Sequence, residues 1–345
     1  MFNRIALVLV LASVSAGLPA LEIQRGKLKV VVNDRTGRFV VWGSEDEVKP
    51  AWTPLFLADD PTTSKWKLLV GDKAMVLGDD PAFTTAVEST DTGIKTTWKS
   101  KSLVVTLTMD FLLSAAAATS DGLKLTLSVV NITELPVRLG VRWVLDTNLG
   151  EKKEHFKLSS GEVIKDETKL EGSYPDWWSS RSSSDDQMGL LVMVGKGVTA
   201  PSRVVFANWK RLDDTAGDLN FKQGRDFNLL PYSFNDSAVS QMYDPQDLTP
   251  GATREVVVMM GLISSRTLIG ARVASANPLD DLLKKNQNPA LGAVDQDLAS
   301  LETLLVQIDG RLSDPSRTTA EDLRLLQAVL DQVDARRKAL EASKP

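Results

Sequence analysis

The chain contains no cysteine among its 345 residues. This absence excludes disulfide bonds, thiolate metal sites, cysteine nucleophiles and lipid-modified cysteine anchors. A chain of this length can bury a core that is large enough to hold a fold without disulfides. We therefore expect a fold that is stabilised by packing and hydrogen bonding.

Histidine is almost absent, since His155 is the only one. Zinc sites usually draw on two or three histidines or cysteines, so zinc catalysis is excluded. A Ser–His–Asp triad would depend on His155, and no Gly-x-Ser-x-Gly motif supports such a triad. Of the Asp-Asp pairs, Asp60 and Asp80 precede proline, as in ordinary turns. The sequence thus favours a protein that is not an enzyme, with no metal ion and no other cofactor.

Basic charge is not in excess, because 40 Lys and Arg face 45 Asp and Glu, for a net charge of -5. The sequence isoelectric point is about 5.2. Proteins that bind nucleic acid or anionic membrane surfaces need a basic patch or stripe. We therefore expect no nucleic-acid partner and no attraction to an anionic membrane.

A membrane-spanning run is also missing, although one apolar run begins directly after Arg4 and continues to Gly17. It is shorter than the roughly 20 residues that a transmembrane helix needs, and its order is typical of a secretory signal peptide. Residues 1–20 are predicted to be this signal, with cleavage after Ala16 or Ala20. The mature protein is then periplasmic or secreted and does not span the membrane.

Aromatic residues are absent from Ala276 to Pro345. The change in composition divides the mature chain, because β-sheet cores favour aromatic and β-branched residues whereas leucine serves helical seams well. We predict an antiparallel β-sandwich over 21–265, a linker over 266–288 and a helical hairpin over 289–345.

The first region alternates apolar and polar residues. Leu103, Val105, Leu107, Met109 and Phe111 occupy one face of a predicted strand, and similar runs follow from Leu123 and from Val137. Long alternating strands joined by short turns indicate an antiparallel meander with one buried face. The predicted fold class is mostly β, with a large antiparallel β-sandwich or supersandwich followed by a C-terminal α-helical hairpin.

The last region changes to a spacing of three and four residues between apolar positions, which is the pattern of a heptad seam. Thr318 and Glu321 fit a capping box for the second helix. A pair of helices buries little surface, so the seam needs the sandwich, a second copy or another protein beside it. The predicted seam consists of Leu291, Val294, Leu298, Leu301, Leu305, Ile308, Leu312, Leu323, Leu326, Leu330 and Val333.

Two long loop-rich stretches, 147–187 and 209–237, interrupt the strands. Loops of this length often bind ligands or pack over the fold. Candidate binding residues within them are Tyr174, Trp177, Trp178, Trp209 and Arg211. One interpretation is an aromatic platform for a sugar or a peptide. The other is a loop anchored by one buried indole, because adjacent strand residues point to opposite faces.

The meander and the closing segment DLTPGATREVVVMMGL (Asp247–Leu262) resemble those of galactose-mutarotase-like β-supersandwich domains. The resemblance covers 21–265 and concerns architecture. It implies a fold that is common in exported carbohydrate-active and carbohydrate-binding proteins. Mutarotases use histidines together with a glutamate base, whereas this chain has a single histidine, so no catalytic residue is carried over.

These observations predict a non-catalytic, exported interaction or scaffold protein of the cell envelope. Its partner would be a cell-envelope protein or a second copy, reached through the helical hairpin and the sandwich loops. One alternative is a carbohydrate-binding protein that holds a glycan with its loop tryptophans. A glycosidase or lyase that uses loop carboxylates is a further alternative.

Overall fold

The computed structural model describes residues 20–47, 49–58, 62–115, 117, 119–147, 149, 156–181, 188–215, 219–265, 267–275, 277–286, 301, 304–305, 307–309, 311–312 and 318–342. Most of the predicted signal peptide lies outside these residues, and so do His155, Leu291, Val294 and Leu298.

The strands of the described residues form three antiparallel sheets. A four-stranded sheet has the order β1 (Ala20–Arg25), β2 (Leu28–Asn33), β3 (Phe39–Gly43) and β4 (Thr53–Pro54). A six-stranded sheet has the order β14 (Thr168–Glu171), β17 (Arg203–Asn208), β18 (Ser237–Leu248), β11 (Val137–Asp146), β5 (Lys65–Val70) and β6 (Lys73–Val76).

The third sheet has ten strands. Its main path is β13 (Val163–Ile164), β12 (Phe156–Leu158), β15 (Trp177–Arg181), β16 (Gly189–Met193), β19 (Thr253–Leu262), β10 (Gly122–Asn131), β9 (Leu103–Leu113), β8 (Gly93–Lys99) and β7 (Thr84–Ser89). The tenth strand, β20 (Arg272–Val273), pairs with β9. The predicted fold class, a mostly β antiparallel sandwich, is confirmed.

The alternating pattern determines which face of the ten-stranded sheet is buried. Leu103, Val105, Leu107 and Met109 are fully buried, whereas the residues between them are partly exposed. Neighbouring β10 continues the same face, with Leu125 opposite Met109. A register slip of one residue would turn every buried side chain to solvent, so this alternation also selects the register.

Aromatic side chains fill much of the core between the sheets. Trp66 and Trp143 stack with ring centroids 5.1 Å apart. Phe156 packs against Phe206 at 5.0 Å and meets Trp178 edge-on at 5.7 Å. Side chains from all three sheets contribute to this one cluster, so the sandwich has a continuous core.

The outer face of the six-stranded sheet has a cover of its own. The short helix α1 (Trp209–Asp214) and the segment that follows it pack on Val144, Val205 and Met242 through the buried Leu212. Asn208 caps α1, since its side chain accepts a hydrogen bond from the backbone N–H of Arg211. The predicted loop 209–237 is therefore a packed layer over the sheet.

Helices close the chain, as predicted. They are α2 (Pro278–Asn286) and α3 (Ala320–Ala342), and the described positions from 301 to 312 are helical as well. Part of the predicted linker is structured, because β20 and α2 lie within it. No helix among the described residues is both long enough and apolar enough to cross a membrane.

Candidate functional site: an exposed apolar loop tip

The predicted aromatic pair lies on β15, where the pleat sends its two indoles to opposite faces. Trp178 is fully buried against Phe156 and Phe206. Trp177 is half-buried and packs outside the core against Leu191 and Met193. The expectation of a flat platform that includes Trp178 is thus corrected, because this indole presents no surface. The other interpretation, a loop anchored by one buried indole, describes Trp178.

Tyr174 ties the loop before β15 to the neighbouring sheet. Its hydroxyl donates a hydrogen bond to the carbonyl oxygen of Ser202 at 2.7 Å, and burial raises the pKa of Tyr174. The structure does not join Tyr174 and Trp177 to Trp209 and Arg211 in one site, because the two pairs contact different elements. The five predicted residues therefore form separate anchors.

Trp209 and Arg211 hold the covering layer on the six-stranded sheet. The Trp209 indole N–H donates to the carbonyl oxygen of Thr63 at 3.3 Å. The Arg211 guanidinium donates to the carbonyl oxygens of Asp226 at 3.1 Å and Asn228 at 2.5 Å. Burial lowers the pKa of Arg211. Both side chains thus stabilise the covering layer. The exposed residues of this layer come later in the sequence.

A charged cluster fastens α1 to the sheet beneath it. The Asp213 carboxylate lies 2.9 Å from Lys65 Nζ and 2.8 Å from Lys67 Nζ. Burial by itself would raise the pKa of Asp213, but hydrogen bonds from the two lysines outweigh it and hold the pKa below its ordinary value. Burial lowers the pKa of Lys67. Asp213 is therefore committed to ion pairs within the fold.

The free surface of this layer is apolar. Leu230, Tyr232 and Phe234 are 72%, 73% and 78% exposed, and they alternate along five residues. We call these three side chains the apolar loop tip. Isolated exposed apolar residues are common on protein surfaces, but three large ones within a single turn form a patch of the kind that marks interaction sites.

Hydrogen bonds hold the backbone beneath the apolar loop tip. Leu229 and Ser233 exchange two backbone hydrogen bonds, each 3.0 Å long. The fully buried Asn208 donates from Nδ2 to the Ser233 hydroxyl and to the Phe227 carbonyl oxygen, both at 2.8 Å. The Asn235 N–H donates to Asn228 Oδ1 at 2.8 Å. The apolar side chains are therefore presented on a well-braced turn.

The sequence interpretation missed the apolar loop tip, although it marked the stretch that contains it. Within Leu229–Phe234 four apolar or aromatic residues surround Pro231 and Ser233 in an otherwise polar region. Proline and serine predict a turn there, and a turn lies on the surface. Aromatic residues inside a predicted turn were the available signal.

The helical seam is only partly as predicted. The cluster between the helices buries Leu304, Leu325 and Val329 together with Leu279 and Leu282 of α2. The predicted Ile308, Leu326 and Val333 pack at its edge, and Leu301 is half-buried. In contrast, Leu305, Leu323 and Leu330 are 65%, 59% and 43% exposed, so these three predicted seam residues do not pack within the described part of the chain. Leu279 and Leu282 of α2 belong to the same cluster, so the buried side of α3 is the one that α2 contacts.

These helices also carry two pairs of exposed leucines. Leu323 and Leu330 are seven residues apart on one side of α3, and Leu305 and Leu312 have the same spacing in the preceding helical positions. Leu312 is 71% exposed. We call these four residues the leucine stripe.

Several described carboxylates pair with basic side chains. Asp79 pairs with Arg38, Asp214 with Lys210 and the fully buried Glu167 with Arg225. Within the described ranges no three His, Cys, Asp or Glu residues are grouped so that they could hold a metal ion. Asp79 and Glu167 thus join segments that are distant in sequence, whereas Asp214 pairs within α1.

Comparison with known proteins finds similar chains among solved structures. No family model matches the chain, and no curated protein matches it. Among solved structures, it is similar to a galactose mutarotase-like protein from Lactobacillus casei at 12% identity, with 71% of this chain and 100% of that chain covered and a TM-score of 0.43.

Two further structures show the same similarity. A galactose mutarotase related enzyme from Lactobacillus acidophilus is 13% identical, with coverage of 71% and 97% and a TM-score of 0.45. An aldose epimerase homologue from C. elegans is 9% identical, with coverage of 70% and 98% and a TM-score of 0.41. The predicted resemblance to galactose-mutarotase-like proteins is confirmed as a resemblance in fold.

Proposed function

We propose that this chain is a non-catalytic, exported binding protein of the cell envelope, which docks on a partner protein through the apolar loop tip. The observation that carries the proposal is the exposure of Leu230, Tyr232 and Phe234 on a braced turn. The leucine stripe offers a second contact surface on the helices.

The chemistry of the apolar loop tip favours a protein partner. Aromatic side chains dominate the binding energy of many protein interfaces, where polar residues surround them as a rim. Both signs of charge lie close by, since Lys210 and Asp214 pair on α1 and Asp226 lies at the base of the turn. An anionic membrane would select a basic rim instead.

The bracing of the turn supports the same function. A loop that must become ordered on binding loses affinity to conformational entropy. Here Asn208 and the paired Leu229 and Ser233 already order the backbone, so burial of the three apolar side chains would contribute directly to affinity. The signal-like N-terminus supports a partner outside the cytoplasm.

The test is site-specific photocrosslinking in intact cells, with a benzoylphenylalanine in place of Tyr232. We expect a discrete protein adduct that disappears when Leu230→Ser and Phe234→Ser are introduced together. A photocrosslinker at Leu135 is the matched control. Leu135 is 73% exposed and lies in the turn between β10 and β11, outside the covering layer. We expect no discrete adduct there.

Two results would count against the proposal. One is an adduct pattern at position 232 that equals the pattern at position 135. The other is a combination of two findings: no protein adduct forms at position 232, and the protein binds a glycan array in a way that Tyr232→Ser abolishes. That combination would support the carbohydrate-binding alternative.

A further inference from the structure

The strand β7 lies at one edge of the ten-stranded sheet and, among the described strands, pairs only with β8. The hairpin that joins the two strands closes with two backbone hydrogen bonds between Thr90 and Gly93, at 2.8 and 3.4 Å. In an antiparallel pair, residues that exchange hydrogen bonds alternate with residues that do not. The register therefore leaves Thr85, Val87 and Ser89 in positions where their N–H and C=O groups point away from β8.

These outward N–H and C=O groups have no hydrogen-bond partner in the part of the chain that the structure describes. Along a strand such residues recur about every 6.6 Å. A second extended chain presents backbone groups with the same spacing, which is the basis of recognition by strand addition. A helix uses its backbone groups internally, and a sugar or a lipid has no row of amides. The hydrogen-bonding groups themselves thus select an extended peptide as the occupant.

The other sheet edges carry more protection than β7 does. Natural proteins protect edges with short strands, proline, charged side chains or a covering segment. The edges β4 and β13 have two residues each, and β4 ends in Pro54. The Val76 carbonyl oxygen of β6 accepts from the following turn, and Glu167 just before β14 bonds to the covering layer. The edge strand β1 ends in the charged Arg25. In contrast, β7 has six residues without proline, lysine or arginine.

The two faces of β7 differ in the side chains that they offer to a docked strand. On the side that faces the core, Val87 is half-buried and packs against the main hydrophobic cluster, as does Phe83 just before the strand. On the other side, Thr84, Ala86 and Glu88 are exposed. A docked strand with an apolar residue at every second position would cover the first side and present polar residues on the second.

We propose that β7 binds an extended segment of a partner protein by strand addition, and that this segment is apolar at every second residue. The β7 strand of a second copy fits less well. It would bring only Thr85, Val87 and Ser89 to the half-covered side, and only the valine among them is apolar. The edge is separate from the apolar loop tip, so the inference goes beyond the proposed function and does not depend on it.

The experiment is a fluorescence anisotropy titration of a labelled peptide, KVTVTVTK, with the full mature chain. Residues directly opposite each other in an antiparallel pair share one face, so the valines of the peptide should lie beside Val87 and hydrogen-bond to β7. We expect saturable binding of this peptide. The control peptide has the same sequence with N-methylated valines, which cannot donate these hydrogen bonds, and it should not bind.

Val87→Pro tests the edge from the side of the protein. Proline removes one outward N–H, but the ladder with β8 does not use that N–H, so the strand can keep its place at the edge. We expect Val87→Pro to weaken peptide binding at least about tenfold, because a hydrogen bond is lost and the peptide carbonyl is left unpaired. Val87→Thr is the matched control. It keeps the N–H and the branched shape and should keep most of the affinity.

A wild type that does not bind the peptide overturns the inference, and so does equal affinity of Val87→Pro and the wild type. Equal binding of the N-methylated peptide has the same meaning. Circular dichroism shows whether each variant is folded, and Ser89→Pro replaces Val87→Pro if the latter is not. If the wild type forms a dimer without peptide in sedimentation velocity and Val87→Pro stays monomeric, the occupant is a second copy and the proposed partner segment is wrong.

Discussion

At the scale of single residues, the most buried ion pairs of the described sandwich join segments that are distant in sequence. Lys65 and Lys67 of β5 meet Asp213 of α1, and Glu167 meets Arg225 across the covering layer. The lysine side chains at Asp213 are only 10% and 4% exposed. Removing one partner of a buried pair leaves a charge without compensation, which is the costly part of such a change.

Asp213→Asn should lower the free energy of unfolding by about 2 to 3 kcal/mol at pH 7, because it leaves two largely buried lysines without their carboxylate. Asp214→Asn is the matched control. Asp214 makes an exposed pair with Lys210 within α1, and such pairs contribute little to stability because solvent screens them. Urea unfolding of both variants measures the difference, and equal losses would contradict this account of the cluster.

The Asp213 effect should also depend on pH. Its pKa is lowered in the folded state, so its contribution to stability is present above the ordinary value of 3.8 and is lost as the pH falls through the folded pKa. The gap in stability between wild type and Asp213→Asn should therefore be widest near pH 7 and narrow below pH 3.8. A gap that is constant between pH 7 and pH 3 would refute the pairing.

At the scale of elements, α3 shows how a third helix changes a predicted two-helix seam. The helix is capped by Thr319, whose hydroxyl accepts from the Asp322 N–H at 3.1 Å while Asp322 accepts from the Thr319 N–H at 2.9 Å. The predicted pair of Thr318 and Glu321 has this pattern one residue earlier. These backbone and hydroxyl hydrogen bonds, together with Arg311, hold the pKa of Asp322 far below its ordinary value.

Leu325→Ala and Leu323→Ala test which side of α3 is buried. Leu325 is 5% exposed and Leu323 is 59% exposed, although they are two residues apart. We expect Leu325→Ala to cost about 2 to 4 kcal/mol of local stability through the cavity it leaves. Leu323→Ala should change that stability by less than about 0.5 kcal/mol. Hydrogen exchange of the α3 amides measures both, and the reverse order would restore the predicted seam.

At the scale of the whole molecule, the sandwich core extends past residue 265, the end that the sequence predicts for it. Ala274 is buried in the main core, and its N–H donates to the Phe111 carbonyl oxygen at 2.8 Å. Leu268 is buried against Leu191 and Met193. Asp281 of α2 then pairs with Arg272 at 2.6 Å, which ties the helices to the sheet edge. The structural end of the sandwich therefore lies beyond residue 274.

Two truncations distinguish this end from the predicted one. A mature chain that ends after residue 276 should keep a cooperative unfolding transition, because it retains β20, Leu268 and Ala274. A chain that ends after Ser265 should be less stable by at least about 3 kcal/mol, since it loses buried apolar side chains and the pairing of β20 with β9. Urea denaturation compares the two, and equal midpoints would place the end of the sandwich at 265.

Much of the architecture could be predicted because it depends on local periodicity. The alternation along Leu103–Phe111 determines a buried face without knowledge of the rest of the chain. The three-four spacing after residue 289 predicts helix, but it does not determine which side of the helix is buried. The opposite orientations of Trp177 and Trp178 follow from the same geometry. Fold class and the resemblance to galactose-mutarotase-like domains needed no more than this.

The candidate site could not be predicted in the same way, because exposure is a property of the assembled chain. Leu230, Tyr232 and Phe234 have the composition of core residues, and Trp209 and Arg211 that of a binding site. The packing of the covering layer on the six-stranded sheet leaves the apolar loop tip exposed. The same packing gives Trp209 and Arg211 a structural role as anchors. The sequence alone is enough to predict the spacing of apolar residues in each helix or strand, because that spacing repeats within a few residues. Which surfaces remain uncovered depends on contacts such as those of Asn208 with the turn and of α2 with α3, and these form between segments far apart in the chain.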